Sequence, residues 1–286
     1  MSYKIITDTC CDYPAEMYQD LGLEVVALSV LYKGENYTHY TEAWLKDMFD
    51  GLRSGEKATT AAVNPEGWKA VIEPVVAGGD DALVLVFSSG LSTTYQSAVI
   101  AAQELLEAYP HRRIRVVDTL CASLGQGLLV WYACKKRDEG LDLEQLTAWC
   151  QEYRYKLCHW FTVDDLMYLK RGGRVSAATA LVGTMLQIKP VLHVDNDGHL
   201  INVSKVRGRK ASIEALAAKM GQLGLPGENE TVFICHGDCQ ADADTLAAIV
   251  KEKYGVKNVF TYYVGAVIGS HSGPGTLALF FLGEHR

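Results

Sequence analysis

With 286 residues, 49% of them hydrophobic and 21% charged, the chain can bury one large core or two lobes. Its 27 Lys and Arg against 34 Asp and Glu give a net charge of −7, and no basic stretch offers a nucleic-acid footprint. No apolar run is long enough for a signal or membrane segment, so a cytoplasmic location is expected and the eight cysteines read as reduced thiols.

Residues 4–8 read as a strand and 14–21 as a helix capped by Asp12. A long apolar strand is predicted over 24–32, and helices over 42–52 and 65–76. Between these helices, "KATTAAVNP" (57–65) reads as a hydroxyl-bearing loop. The unbroken apolar run 82–89 fits a strand covered on both faces. Ser92 or Thr93 caps the helix that runs to residue 108. A strand at 113–118 and helices at 122–137 and 143–156 complete a pattern that argues for a largely parallel α/β sheet.

The rhythm then changes. A strand at 160–163 leads to a short helix, 165–170, stopped by Gly172-Gly173. Residues 189–206 form two apolar runs around Asp195-Asn196-Asp197-Gly198, a hairpin signal. Helices at 211–220 and 242–253 and strands at 231–235, 260–264 and 277–282 suggest an α+β lobe. "IGSHSGPG" (268–275) reads as a tight turn. The division falls near residue 158, giving lobes 1–158 and 159–286.

Three chemistries compete for "SSGLSTTYQSA" (88–98). A nucleophile elbow needs a glycine on each side of the serine, and Gly90-Leu91-Ser92-Thr93-Thr94 supplies only the first. A hydrolase base is available in His271, but spacing does not select it. A dinucleotide cradle is poorly served by "SLGQGLLV" (123–130), where Val130 replaces the third glycine; close helix packing explains Gly125 and Gly127 better. The third reading is an anion clamp of hydroxyls and a helix N-terminus, against the plainer view that Ser92 is only a cap. The cluster Cys235-His236-Gly237-Asp238-Cys239 fits no common zinc spacing, so no metal is expected.

Taken in order, "IITDTCCDYP", "TTAAVNP", "FSSGLSTTYQSA", "VVDTLCASLGQG", "FTVDDLMYLKRGGRVS", "IKPVLHVDNDGHL", "VRGRKAS" and "VGAVIGSHSGPG" resemble the DegV family, which includes the fatty-acid-binding (FakB-type) subunits of bacterial fatty acid kinase. The resemblance spans nearly the whole chain. It implies a two-lobe fold, an N-terminal largely parallel α/β sheet with a C-terminal α+β lobe, and a ligand tunnel between them. It implies one long-chain fatty acid such as palmitate or oleate, no other cofactor, and a carboxylate held by Thr59 or Thr60, by Ser92 and by His271. Thr93, Ala266 and Ser272 stand where the family commonly has glycine, proline and threonine. The family's fatty acid is phosphorylated by a separate kinase subunit, and Arg207 in "KVRGRK" is similar to an arginine implicated in engaging it. The resemblance is compatible with peripheral membrane contact for ligand exchange. A non-catalytic lipid carrier is therefore the leading expectation. The alternatives are an α/β serine hydrolase or phosphotransferase acting on an acyl or small phosphate substrate, and a regulatory protein with a structural lipid.

Overall fold

The computed structural model describes residues 2–176 and 187–286. The chain opens with β1 (Tyr3–Asp8), a 3-10 turn (Thr9–Cys11), α1 (Ala15–Asp20) and β2 (Glu24–Val26). It continues through β3 (Ser29–Tyr32), β4 (Glu35–Tyr37), α2 (Glu42–Arg53) and β5 (Ala58–Ala61). Then come α3 (Pro65–Ala77), β6 (Asp81–Val86), α4 (Thr94–Ala108), β7 (Ile114–Asp118), α5 (Leu124–Asp138) and α6 (Leu143–Tyr153).

Strands β2-β1-β6-β7 form a four-stranded, all-parallel sheet. All six residues of β6 are buried, as its unbroken apolar run requires of a strand with neighbours and helices on every side. The helices carry local start signals. Thr41 accepts from Trp44 N to cap α2, Asn64 accepts from Gly67 N to cap α3 ahead of Pro65, and Asp142 with Gln145 forms a capping box on α6.

The second half contains β8 (Leu157–Thr162), α7 (Met167–Arg171), β9 (Ile188–Val194), β10 (Leu200–Arg207) and α8 (Arg209–Leu223). It ends with β11 (Thr231–His236), α9 (Gln240–Tyr254), β12 (Asn258–Tyr263), α10 (Ala266–Ser272) and β13 (Leu277–Leu282). Its sheet runs β10-β9-β8-β13-β11-β12 and is antiparallel except for the β11–β12 pair. One apolar core joins the two sheets: Leu85 and Leu128 belong to the same cluster as Phe161 and Phe280. On the far face of the large sheet, Val232 and Phe281 pack with Leu216 of α8 and Leu246 of α9. Among the described residues, no helix is long and apolar enough to cross a membrane.

The mixed α/β architecture matches the expectation from sequence, with four local corrections. The single strand expected over 24–32 is two, because the chain leaves the parallel sheet at Ala27-Leu28, where Leu28 N donates to Thr9 Oγ1 at 3.0 Å. The loop expected at 57–65 contains β5, which pairs antiparallel with β3 in a small sheet β4-β3-β5. Asp12 does not cap α1; it is buried at φ 54° with its carboxylate on Ser123 Oγ, 2.5 Å away. The turn expected at 268–275 begins as α10 and breaks only at Gly273, which has φ 79°.

Candidate functional site

A cavity of about 360 Å³ lies between the parallel sheet and the large sheet, within the roughly 300–1,000 Å³ range of small-molecule sites. Most of its wall is apolar: Leu28 and Phe87 from one side, Phe161, Ala278 and Phe280 from the large sheet, Val267 and Ile268 from α10. Polar groups gather where β5, the loop after β6, α10 and the segment after α7 meet.

The register of β5 separates the two threonines. Thr60 stands opposite buried Val30 and lines the cavity, while Thr59 stands opposite exposed Leu31 and is itself exposed. Successive strand residues point to opposite faces, so only one can face inward. Thr60 Oγ1 lies 2.7 Å from His271 Nε2. Ser92 also lines the cavity; its Oγ is 2.8 Å from Thr94 Oγ1 and accepts from Thr94 N at 3.2 Å. Thr93, at the N-cap of α4, makes no side-chain cap bond. The structure thus brings Thr60, Ser92 and His271 to one cavity and leaves Thr59 and Arg207 outside it. Arg207 ends β10 and is exposed.

Sequence reasoning passed over Arg174, which also lines the cavity. Its Nε and NH2 donate to Leu91 O at 3.2 and 3.0 Å, and its NH1 donates to Gly172 O. Burial pulls the guanidinium's pKa down, and among the described residues no carboxylate pairs with it. It is the charge that an anion in this cavity would meet. The signal lies in "RGGR" (171–174), a basic stretch that on its own fits a helix end or a solvated face equally well. Gly172 has a reason beyond the helix stop: a Cβ there would lie 2.3 Å from His271 Nδ1, so glycine makes room for the imidazole. Ser272, which stands where the family commonly has threonine, is 3% exposed, lines the cavity, and its Oγ has no hydrogen-bond partner among the described residues.

A carboxylate bound in a closed site would favour a protonated imidazole at His271. Within the chain, burial and then the charge of Arg174 push the imidazole down to about 4, so it is neutral at pH 7. Thr60 can then donate to Nε2. Neither Ser92 nor an acidic side chain is hydrogen-bonded to the ring among the described residues, so no nucleophile–base–acid relay is assembled.

The remaining motifs have other partners. In the cysteine–histidine stretch, Cys235 Sγ accepts from Ser123 Oγ, Asp238 pairs with Arg53 at 2.5 Å, and Cys239 Sγ accepts from Arg209. A Cβ on Gly125 would fall 2.2 Å from His159 Nε2, and one on Gly127 2.9 Å from Cys11 O. These glycines serve close packing of α5, not a phosphate.

The chain matches the family described as uncharacterised protein, DegV family, over residues 2–284. A DegV domain-containing protein of Clostridium perfringens is 43% identical over 286 residues, which cover 99% of this chain and 98% of that one. A solved structure of fatty acid binding by a DegV family protein from Thermus thermophilus aligns with a TM-score of 0.88 at 31% identity, covering 99% and 100% of the two chains. A DegV lipid binding protein from Thermotoga maritima aligns with a TM-score of 0.87 at 29% identity over the full length of both. With the cavity built from the motifs that carried the resemblance, and with matches that run from end to end, the chain belongs to the DegV family.

Proposed function

We propose that this protein holds one long-chain fatty acid in the cavity, with the carboxylate at Arg174, Thr60, Ser92 and His271, and presents it to a fatty acid kinase. The observation that carries the reading is the pairing of an apolar cavity with a guanidinium that has no carboxylate partner among the described residues. The fatty-acid- and lipid-binding relatives from Thermus thermophilus and Thermotoga maritima support the ligand class. Burying about 14 methylenes at roughly 0.8 kcal/mol each gives a gross term near 11 kcal/mol. Association and chain ordering offset several of these. A hydrogen bond to a charged carboxylate adds about 1.5–3 kcal/mol, so the tail supplies affinity and the polar end fixes direction.

The fatty-acid- and lipid-binding relatives support a carrier without catalysis of its own. The kinase assignment rests on the family resemblance and on the surface around Arg207. In "KVRGRK", Arg209 is folded back onto Asp164 and Asp242, whereas Lys205, Arg207 and Lys210 are exposed and have no acidic partner among the described residues. Such cations on a chain of net charge −7 suit an acidic partner face.

Native extraction tests the ligand: a C14–C18 acid should leave with the denatured protein, and the isolated chain should turn over neither chromogenic esters nor ATP. Ester turnover abolished by Ser92→Ala would replace the carrier with an enzyme. For the partner, Arg207→Ala should keep its lipid and its melting temperature yet support little acyl-phosphate formation with a fatty acid kinase. Loss of bound lipid instead would move Arg207 into the ligand site.

A further inference from the structure

The hairpin tip between β9 and β10 lies against the loop that carries Ser92. Ser88 Oγ donates to Gly198 O at 2.9 Å, and Gly90 N donates to Ser88 Oγ at 3.2 Å. The approach leaves no spare room. A Cβ on Gly90 would stand 2.8 Å from Asp197 O, and one on Gly198 would stand 2.1 Å from Ser88 Oγ. Val194 and Leu200, on either side of the tip, line the cavity. The strand ends that the tip joins are therefore part of the cavity's wall, and the tip sets where they stand.

A second attachment reaches the tip from Arg286, which is only 9% exposed. Its Nε donates to Leu157 O at 3.0 Å, and its NH1 donates to Leu120 O at 2.6 Å and Asp195 O at 2.9 Å. Asp195 O also accepts from Gly198 N at 3.0 Å, so the guanidinium holds the carbonyl that closes the turn. Among the described residues its ordinary partners are carbonyls and one thiol, with no carboxylate. Burying a cation is costly, and hydrogen bonds to neutral acceptors offset only part of that cost. Here the planar fork spans three segments at once: the loop after β7, the start of β8 and the hairpin tip. A lysine has neither the width nor the donor count to do so.

We infer that Arg286 and Ser88 are paired latches that hold the hairpin tip as a strap over the cavity, making Arg286 a positioning residue for ligand retention. The retention role rests on the proposed fatty-acid binding; the latch itself does not. Two measurements separate them. Hydrogen exchange at the amides of residues 195–199 is followed without ligand, and release of cis-parinaric acid is followed from loaded protein. Both are compared in wild type, Arg286→Lys and Ser88→Ala. Each substitution should raise exchange at 195–199 and speed release, both by about tenfold, the scale of one buried hydrogen bond left unmade. Gly198→Ala, whose Cβ would stand 2.1 Å from Ser88 Oγ and so push the tip off that latch with Arg286 itself unaltered, should do the same and serves where Arg286→Lys does not fold. Unchanged exchange at 195–199 overturns the latch whatever the ligand. Raised exchange with unchanged release shows the latch to be structural only and overturns the retention role. Failure of the wild type to bind the acid overturns the lipid reading and the retention role together, and is told apart by the exchange result.

Discussion

At Arg174 a half-buried cation rests on the carbonyls of Leu91 and Gly172, and burial already disfavours its charged form. A carboxylate arriving beside it relieves that cost and gains a charge-assisted hydrogen bond. Arg174→Gln should therefore weaken binding of a long-chain acid by about tenfold to a hundredfold, from the roughly 1.5–3 kcal/mol of such a bond. Binding of the matching long-chain alcohol should hardly change. Equal losses for acid and alcohol in a displacement assay would mean that the side chain shapes the cavity and does not read the charge. His271 follows from the same pair. Its pKa, depressed to about 4 from 6.5, contributes stability that is complete above 6.5 and lost as pH falls through about 4. Over pH 6 to 9 neither group changes its charge, so retention of a bound acid should be flat. A decline as pH rises through this range would identify a ligand-induced imidazolium.

Among the elements, α5 shows how a glycine pair can mimic one motif and serve another need. Gly125 lets the first turn of α5 settle on the buried ring of His159, whose Nδ1 donates to Leu157 O at 2.9 Å. Gly125→Ala would place its Cβ 2.2 Å from His159 Nε2 and 2.7 Å from the Phe280 ring. Such overpacking costs about 1–3 kcal/mol, because two buried rings would have to leave their packed positions. Chemical denaturation should show that loss with an unchanged m-value. A loss under about 0.5 kcal/mol, the scale of an ordinary surface substitution, would show that the sheet gives way easily at this level. The wall of the cavity formed by Ala122, Ser123 and His159 should be reshaped by the same change, since all three meet at this turn.

The molecule as a whole carries buried acid between its layers. Asp8 accepts from Cys10 N and Phe87 N at 2.9 and 2.8 Å, yet burial pushes its carboxyl up to about 6. Asp12 is pushed up to about 7 by burial, against the hydrogen bonds from Ser123 and from the Gly265 backbone. A raised pKa means that the folded state binds protons more tightly than the unfolded chain. The resulting stability is complete below the ordinary value of 3.8 and is lost as pH rises through about 6 and about 7. Calorimetry should find wild type melting lower at pH 8 than at pH 5. Asp12→Asn should lose part of that slope, with the remainder left to Asp8. An identical slope in the variant would show that Asp12 is already ionised at the lower pH.

Much of this protein was legible in one dimension because its signals are local. The unbroken run of β6, the caps of α2, α3 and α6, the Asp-Asn-Asp-Gly hairpin and the ordered motifs each depend on neighbouring residues, and these specified the α/β class and the family. The site was legible as motifs, and its membership was not. Thr59 and Thr60 are equivalent in sequence; the register of β5 against β3 alone turns one inward. Arg174 sits after a helix stop and gains meaning only because Leu91 and His271 come from distant segments to meet it. Strand register, the depth of burial around His271 and Asp12, and the reach of Arg286 to three segments arise from long-range packing. No window of sequence contains both sides of such a contact, so the tertiary structure decided them.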